Sequence, residues 1–218
     1  MIGIGTESGL GETLAALASG RADPAVALFI DSVLALRGLH GAMGEEVAGA
    51  LLERETPTEM EAASLDHVLA RLDDGARLAP AVPPVRTSRY PEIIRLPAAL
   101  RQVALDAEAN SGWSYAGRGI RSLKLALDGP VEAEILRIGA GAATPMHTHG
   151  GNEFTLCLVG GFSDSRGAYG PGDISAADPG VTHRPVADSD GPCLVLAITD
   201  AGPRFKGFLG VLQKLSGR

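Results

Sequence analysis

Three histidines and a glutamate in the C-terminal half are spaced for metal chemistry. Between two glycines the chain reads Gly141-x5-His147-x-His149-x3-Glu153-x6-Gly160. In a strand alternate side chains share a face, so His147 and His149 project to the same side. Gly150-Gly151 allows a kink, after which the next strand can return the Glu153 carboxylate to the same point. Gly172 and then His183 follow, and an opposite hairpin can supply His183 as a third imidazole. Three neutral imidazoles and one carboxylate suit a borderline divalent ion, with zinc first and iron, manganese or nickel also open. The competing reading leaves these histidines idle in loops, but three of the 5 histidines in the chain fall on ligand positions. His40 and His67 each stand alone in a helical stretch and read as surface or packing residues.

The elements that must position this set are short strands. Apolar runs with period two cover Ile120 to Leu127, Val131 to Ile138, Glu153 to Val159 and Cys193 to Thr199. Asp128-Gly129-Pro130 and Gly170-Pro171-Gly172 break them with turns. Many short strands between glycine and proline turns predict an all-β sandwich or barrel. The spacing around His147, His149 and Glu153 fits the first cupin motif at every defined position. The second cupin motif, Gly-x5-Pro-x-Gly-x2-His-x3-Asn, is kept at Gly172, Gly180 and His183, while Asp178 stands at the proline and Ala187 at the asparagine. Neither replaced position is a ligand. Strand parity puts Cys157 on the barrel-facing side with Glu153, where a small buried apolar residue is its plainer role.

The N-terminal third has a different period. Leu10, Leu14 and Leu17, then Val26, Phe29, Ile30, Val33 and Leu34, recur at three and four, which is helical spacing. Asp23-Pro24 and Thr56-Pro57-Thr58-Glu59 supply start signals. They predict four helices, at 10–19, 24–37, 44–55 and 57–73. Pro80, Pro83, Pro84 and Pro91 mark a linker. The fold class is therefore α+β in two domains: a small N-terminal helical bundle at 1–75, a proline-rich linker at 76–91, and an all-β cupin barrel, a double-stranded β-helix, at 92–218. Short helices alone bury little surface, so the first part is expected to dock on another domain or a partner.

Charge narrows the partners. Of the net −7 over 218 residues, the stretch through Gly75 carries 13 acidic residues against Arg21, Arg37, Arg54 and Arg71. Such a surface repels phosphates, which argues against direct nucleic-acid binding and suits a basic protein partner. A merely solvated helical face is the plainer alternative. No basic patch leads into an apolar run, and no long apolar stretch could span a membrane. Cys157 and Cys193 form no Cys-x-x-Cys pair, so the expected setting is a reducing cytoplasm.

These features together resemble the ChrR family of anti-sigma factors. The local matches are His147-Thr148-His149, Glu153-Phe154-Thr155-Leu156, Phe162-Ser163-Asp164, Tyr169-Gly170-Pro171-Gly172-Asp173, His183-Arg184-Pro185-Val186-Ala187-Asp188 and Ala197-Ile198-Thr199-Asp200-Ala201. The resemblance implies a helical domain that clamps an extracytoplasmic-function sigma factor, and a cupin that helps respond to reactive oxygen. The family also carries a zinc in its helical domain, whose ligand positions fall here on Ser8, Val33, Arg37 and His40. That set cannot make the site, so the helical domain is expected to fold without metal. By analogy with other cupins, pairing into a homodimer is a further expectation.

Three functions compete. The first is an anti-sigma regulator whose metal-loaded cupin senses a reactive species or small molecule. The second is a cupin dioxygenase or isomerase, for which Tyr115, Tyr169 and Cys157 are the available acid–base candidates. The third is a binding or storage module with a structural metal. Polar, substrate-sized space around the metal would favour the enzyme, and an apolar cavity the binding module.

Overall fold

The computed structural model describes residues 20–39, 63–73, 87–201 and 203–205, with single residues at 49, 53, 56 and 61. The expected helix at 10–19, nearly all of that at 44–55, most of the linker, and Ser8 and His40 lie outside the described residues.

The period-two segments become antiparallel strands. In chain order they are β1 (Ser114–Gly117), β2 (Ile120–Leu125), β3 (Glu132–Ile138), β4 (His147–His149), β5 (Glu153–Val159) and β6 (Phe162–Asp164). There follow β7 (Gly167–Tyr169), β8 (Ile174–Ala177), β9 (Thr182–His183), β10 (Val186–Ala187), β11 (Cys193–Thr199) and β12 (Pro203–Phe205). One sheet of six runs β1-β2-β3-β11-β5-β8, and two sheets of three run β10-β6-β7 and β12-β4-β9. This is a cupin-like β-sandwich with a few helices.

Alternation sorts the large sheet into two apolar faces. Ala133, Ile135, Leu156, Leu158, Leu194 and Leu196 point outward and are covered by helices. Ile120, Ile138, Cys157 and Val195 point inward and meet Phe162 and Ala187. Cys157 is fully buried there, in the packing role that parity suggested. Gly160 ends β5 with φ +72 beside the Pro192 carbonyl, a turn that a side chain would obstruct.

Helix α1 (Pro24–Leu36) follows its local signals. Asp23 Oδ1 accepts from the Ala25 and Val26 amides at 2.9 and 3.4 Å, and Pro24 opens the first turn. At the other end the Leu39 amide donates to the Leu34 carbonyl at 2.8 Å around Gly38, whose φ is +69, an αL-glycine stop. The expected docking is met within the chain: Ala25 and Phe29 are buried in the outer core of the large sheet. Arg37, just past the helix, donates from Nε and Nη2 to the Gly172 carbonyl at 3.2 and 2.9 Å. This guanidinium thus ties the end of α1 to a barrel loop.

Two helices depart from expectation. Helix α2 is Ser64–Asp73 and does not begin at residue 57, because Glu61 and Ala63 are non-helical. The Glu61 carbonyl accepts from the Ser64 amide at 2.9 Å in a tight turn, and the helical ladder opens only with His67 N–H to Ala63 at 3.0 Å. His67 is exposed on this helix, as a surface residue should be.

Helix α3 (Ala98–Asn110) lies inside the segment expected to be all-β. A 3-10 turn at Pro91–Arg95 leads into it, and Ile93, Leu96, Leu100 and Ala104 bury against the sheet. Its signal was present in Pro97 followed by Leu100, Val103, Ala104 and Ala107, but small alanines make a faint stripe. Glu108 of α3 accepts from Ser88 Oγ at 2.6 Å and the Arg89 amide at 2.9 Å, tying down the end of the proline-rich stretch.

Candidate metal centre

The pairing of β4 with its neighbours builds the centre. His147 stands opposite His183 across β4 and β9, and β12 flanks β4 on the other side. His149 is two residues along β4 and so shares the face of His147. Glu153 opens β5 in the large sheet, so three imidazoles come from one layer and the carboxylate from the other. One potential ligand atom from each of the four residues lies within 4.8 Å of the others. The turn between the strands needs Gly151, because a Cβ there would strike the Asp200 carboxylate that accepts from the Asn152 amide at 2.7 Å.

The protonation pattern asks for a cation. His147 Nδ1 lies 2.8 Å from the Pro145 carbonyl, which only accepts, so Nδ1 carries the proton and Nε2 keeps its lone pair. Asp164 Oδ2 imposes the same tautomer on His183 through a 2.8 Å bond to Nδ1. The two Nε2 atoms then face each other at 3.2 Å, lone pair against lone pair, and His149 Nε2 lies 3.1 Å from that of His183. A divalent ion held between these nitrogens would remove this repulsion.

Burial agrees with that pattern. It pushes the His147 and His183 imidazoles below the ordinary histidine value and so keeps them neutral. Burial alone would raise Glu153, but hydrogen bonding and charge from His149, with the Thr155 hydroxyl 3.1 Å away, hold it below the carboxylate norm. The result is three imidazoles, two of them held neutral by burial, and one anionic oxygen, a set that can hold a divalent metal.

Several supporting residues escaped the reading of the sequence. Asp164 has a fully buried carboxylate, and Arg166 Nη2 reaches it at 3.3 Å while donating to Ser175 Oγ at 2.6 Å. Burial opposes ionisation of Asp164, but His183 and Arg166 together hold its carboxyl below the usual value. Asp164 lies 19 residues from His183, and only the pairing of sheets joins them. Glu134 was legible: it shares strand parity with Leu136 and Ile138, so a carboxyl stands on an apolar face.

A cavity of about 130 Å³ adjoins the cluster, with chiefly apolar walls. Tyr115, Tyr169 and Cys157, the acid–base candidates of an enzyme, are not among its lining residues. Tyr115 is 70% exposed, and Tyr169 is stacked on Phe162.

The sandwich and the inward His-His-Glu-His cluster define a cupin with a site that can hold a metal. Residues 103–201 match the family described as the ChrR cupin-like domain. The chain is 36% identical over 200 residues to the anti-sigma-E factor ChrR of Cereibacter sphaeroides, spanning 90% of each protein. It also resembles the crystal structure of Rhodobacter sphaeroides SigE in complex with the anti-sigma ChrR. That match has a TM-score of 0.64 and 31% identity, over 87% of this chain and 96% of that one. The chain belongs to the ChrR family.

Proposed function

We propose that this chain is an anti-sigma factor. Its helical part, residues 1–75, sequesters an extracytoplasmic-function sigma factor in the cytoplasm, and its cupin, residues 92–218, is the sensor. The observation that carries this reading is likeness to ChrR along nearly the whole chain, helical part included, and not over the barrel alone. The acidic N-terminal third supports it, because sigma regions that contact DNA are basic. Among the described residues no helix is long and apolar enough to cross a membrane.

His147, His149, Glu153 and His183 are the ligands in this reading, and zinc is the ion. Such an ion would supply a Lewis-acid centre on these four side chains. The chain's own residues do the rest: Asp164 and Pro145 hold two imidazoles in register, and Phe154 links the strand of Glu153 to α1. With Arg37 bound to a barrel loop, the helical domain holds its sigma factor without the family's second zinc.

Co-purification of the full-length chain with the sigma factor encoded beside it tests the reading. A stable one-to-one complex at low and moderate salt is the expected result. Failure of a folded sigma factor to associate overturns it.

A further inference from the structure

Strand β8 is the outermost strand of the six-stranded sheet, paired with β5 on one side only. An edge strand with an open side relies on other contacts to fix it. Two arginines from distant parts of the chain grip β8 at its two ends. Arg37, just past α1, donates from Nε and Nη2 to the Gly172 carbonyl, and its Nη2 lies 3.8 Å from the Asp173 carboxylate, in the turn that leads into β8. Arg166, between β6 and β7, donates from Nη1 to the Ala176 carbonyl and from Nη2 to Ser175 Oγ at 2.6 Å.

The second grip continues into the metal centre. Arg166 Nη2 also lies 3.3 Å from Asp164 Oδ2, and its backbone amide donates to Asp164 Oδ1 at 2.8 Å. Asp164 Oδ2 in turn lies 2.8 Å from His183 Nδ1. Ser175 is buried and lines the cavity beside His183. Contacts therefore run without a gap from the end of α1, along β8, to the His183 imidazole. Each side-chain link in the series has a guanidinium as donor or a carboxylate as acceptor, the stronger kind of hydrogen bond.

We infer that metal binding at the four-residue centre and the seating of α1 on the barrel are linked through β8, each strengthening the other. An ion on His183 Nε2 fixes the ring, and the ring fixes Asp164, Arg166 and the strand that Arg37 holds. Without the ion, the repulsion between the Nε2 atoms of His147 and His183 at 3.2 Å loosens the same series. Linkage is reciprocal, so whatever the ion adds to the seat of α1, that seat adds to the affinity for the ion. The inference rests on the metal reading of the four residues, and it gives the cupin a route to the helical part.

The test uses the full-length chain and zinc, with affinity measured by chelator competition. Arg37→Ala removes a half-exposed side chain and should weaken zinc binding by about threefold or more. Arg166→Ala should weaken it as well. Distant sites with no shared partner ordinarily add, but here Arg37→Ala should cost nothing further in the Arg166→Ala background, because the link is already cut. Ser175→Ala, which removes one bond of the link, takes that place where Arg166→Ala misfolds. Zinc should also slow amide hydrogen exchange in α1 at least about threefold more in the unaltered chain than in Arg37→Ala. Unchanged zinc affinity in Arg37→Ala, additive losses in the double variant, or equal protection of α1 by zinc in both chains overturns the inference and leaves the metal reading standing. An unaltered chain that takes up no zinc overturns the metal reading, and the inference with it.

Discussion

Phe29 of α1 meets Phe154 of β5 edge to face, with ring centroids 6.5 Å apart and planes at 63°. Phe154 directly follows Glu153, and successive strand residues face opposite ways. The carboxylate therefore points into the barrel while the next ring presses on the helix, one residue from the metal candidate.

That contact should matter for stability. Phe29 is 6% exposed, and Phe29→Ala removes both its burial and the ring pair. A loss of about 3–5 kcal/mol is expected from the vacated volume. Chemical denaturation of the full chain measures it, and a loss under about 1 kcal/mol would show that α1 merely rests on the barrel.

Removing two imidazoles should empty the centre. His147→Ala with His149→Ala takes away half of the four-residue set, and the purified double variant is expected to hold no stoichiometric metal by elemental analysis. Asp164→Ala keeps every ligand but frees the His183 ring, so metal affinity should fall by about 10–100-fold. Full occupancy in the double variant sinks the assignment.

The response to pH has a definite sign. Burial sets the His147 and His183 values below 6.5 in the folded chain, so the unfolded chain takes up protons first as pH falls. The stability and metal affinity that need neutral imidazoles are complete above about 6.5 and are lost as pH drops through the depressed folded values. Dialysis against a pH series with metal analysis should place the release midpoint below 6.5. Release at higher pH would contradict the burial argument.

The thiols should be inert. Cys193 is fully buried, and its hydrogen bond with Cys157, together with burial, pushes its thiol well above the ordinary value. Thiolate is the reactive form, so iodoacetamide near neutral pH should leave Cys193 unmodified until denaturant is added. Mass spectrometry of native and unfolded samples reads the difference, and rapid native labelling contradicts it.

Local chemistry made much of this protein legible in advance. The period of two places His147 and His149 on one face whatever surrounds them, and Asp23-Pro24 with Gly38 bounds α1 by bonds within a few residues. Glu153 and His183 were within reach because turn glycines punctuate the chain at fixed intervals. Helix α2 starts later than its pattern implies because the turn from Glu61 to Ser64 interrupts the apolar spacing, which periodicity does not weigh. Helix α3 was passed over because alanine buries too little to mark a face.

Other relationships had no local signature. Asp164 acquires its role when His183 arrives from another hairpin, and Phe29 when α1 docks 125 residues away on Phe154. Backbone periodicity acts between neighbours and so fixes which way a side chain points. What it points at depends on long-range strand pairing and helix docking, and the tertiary fold alone decides that.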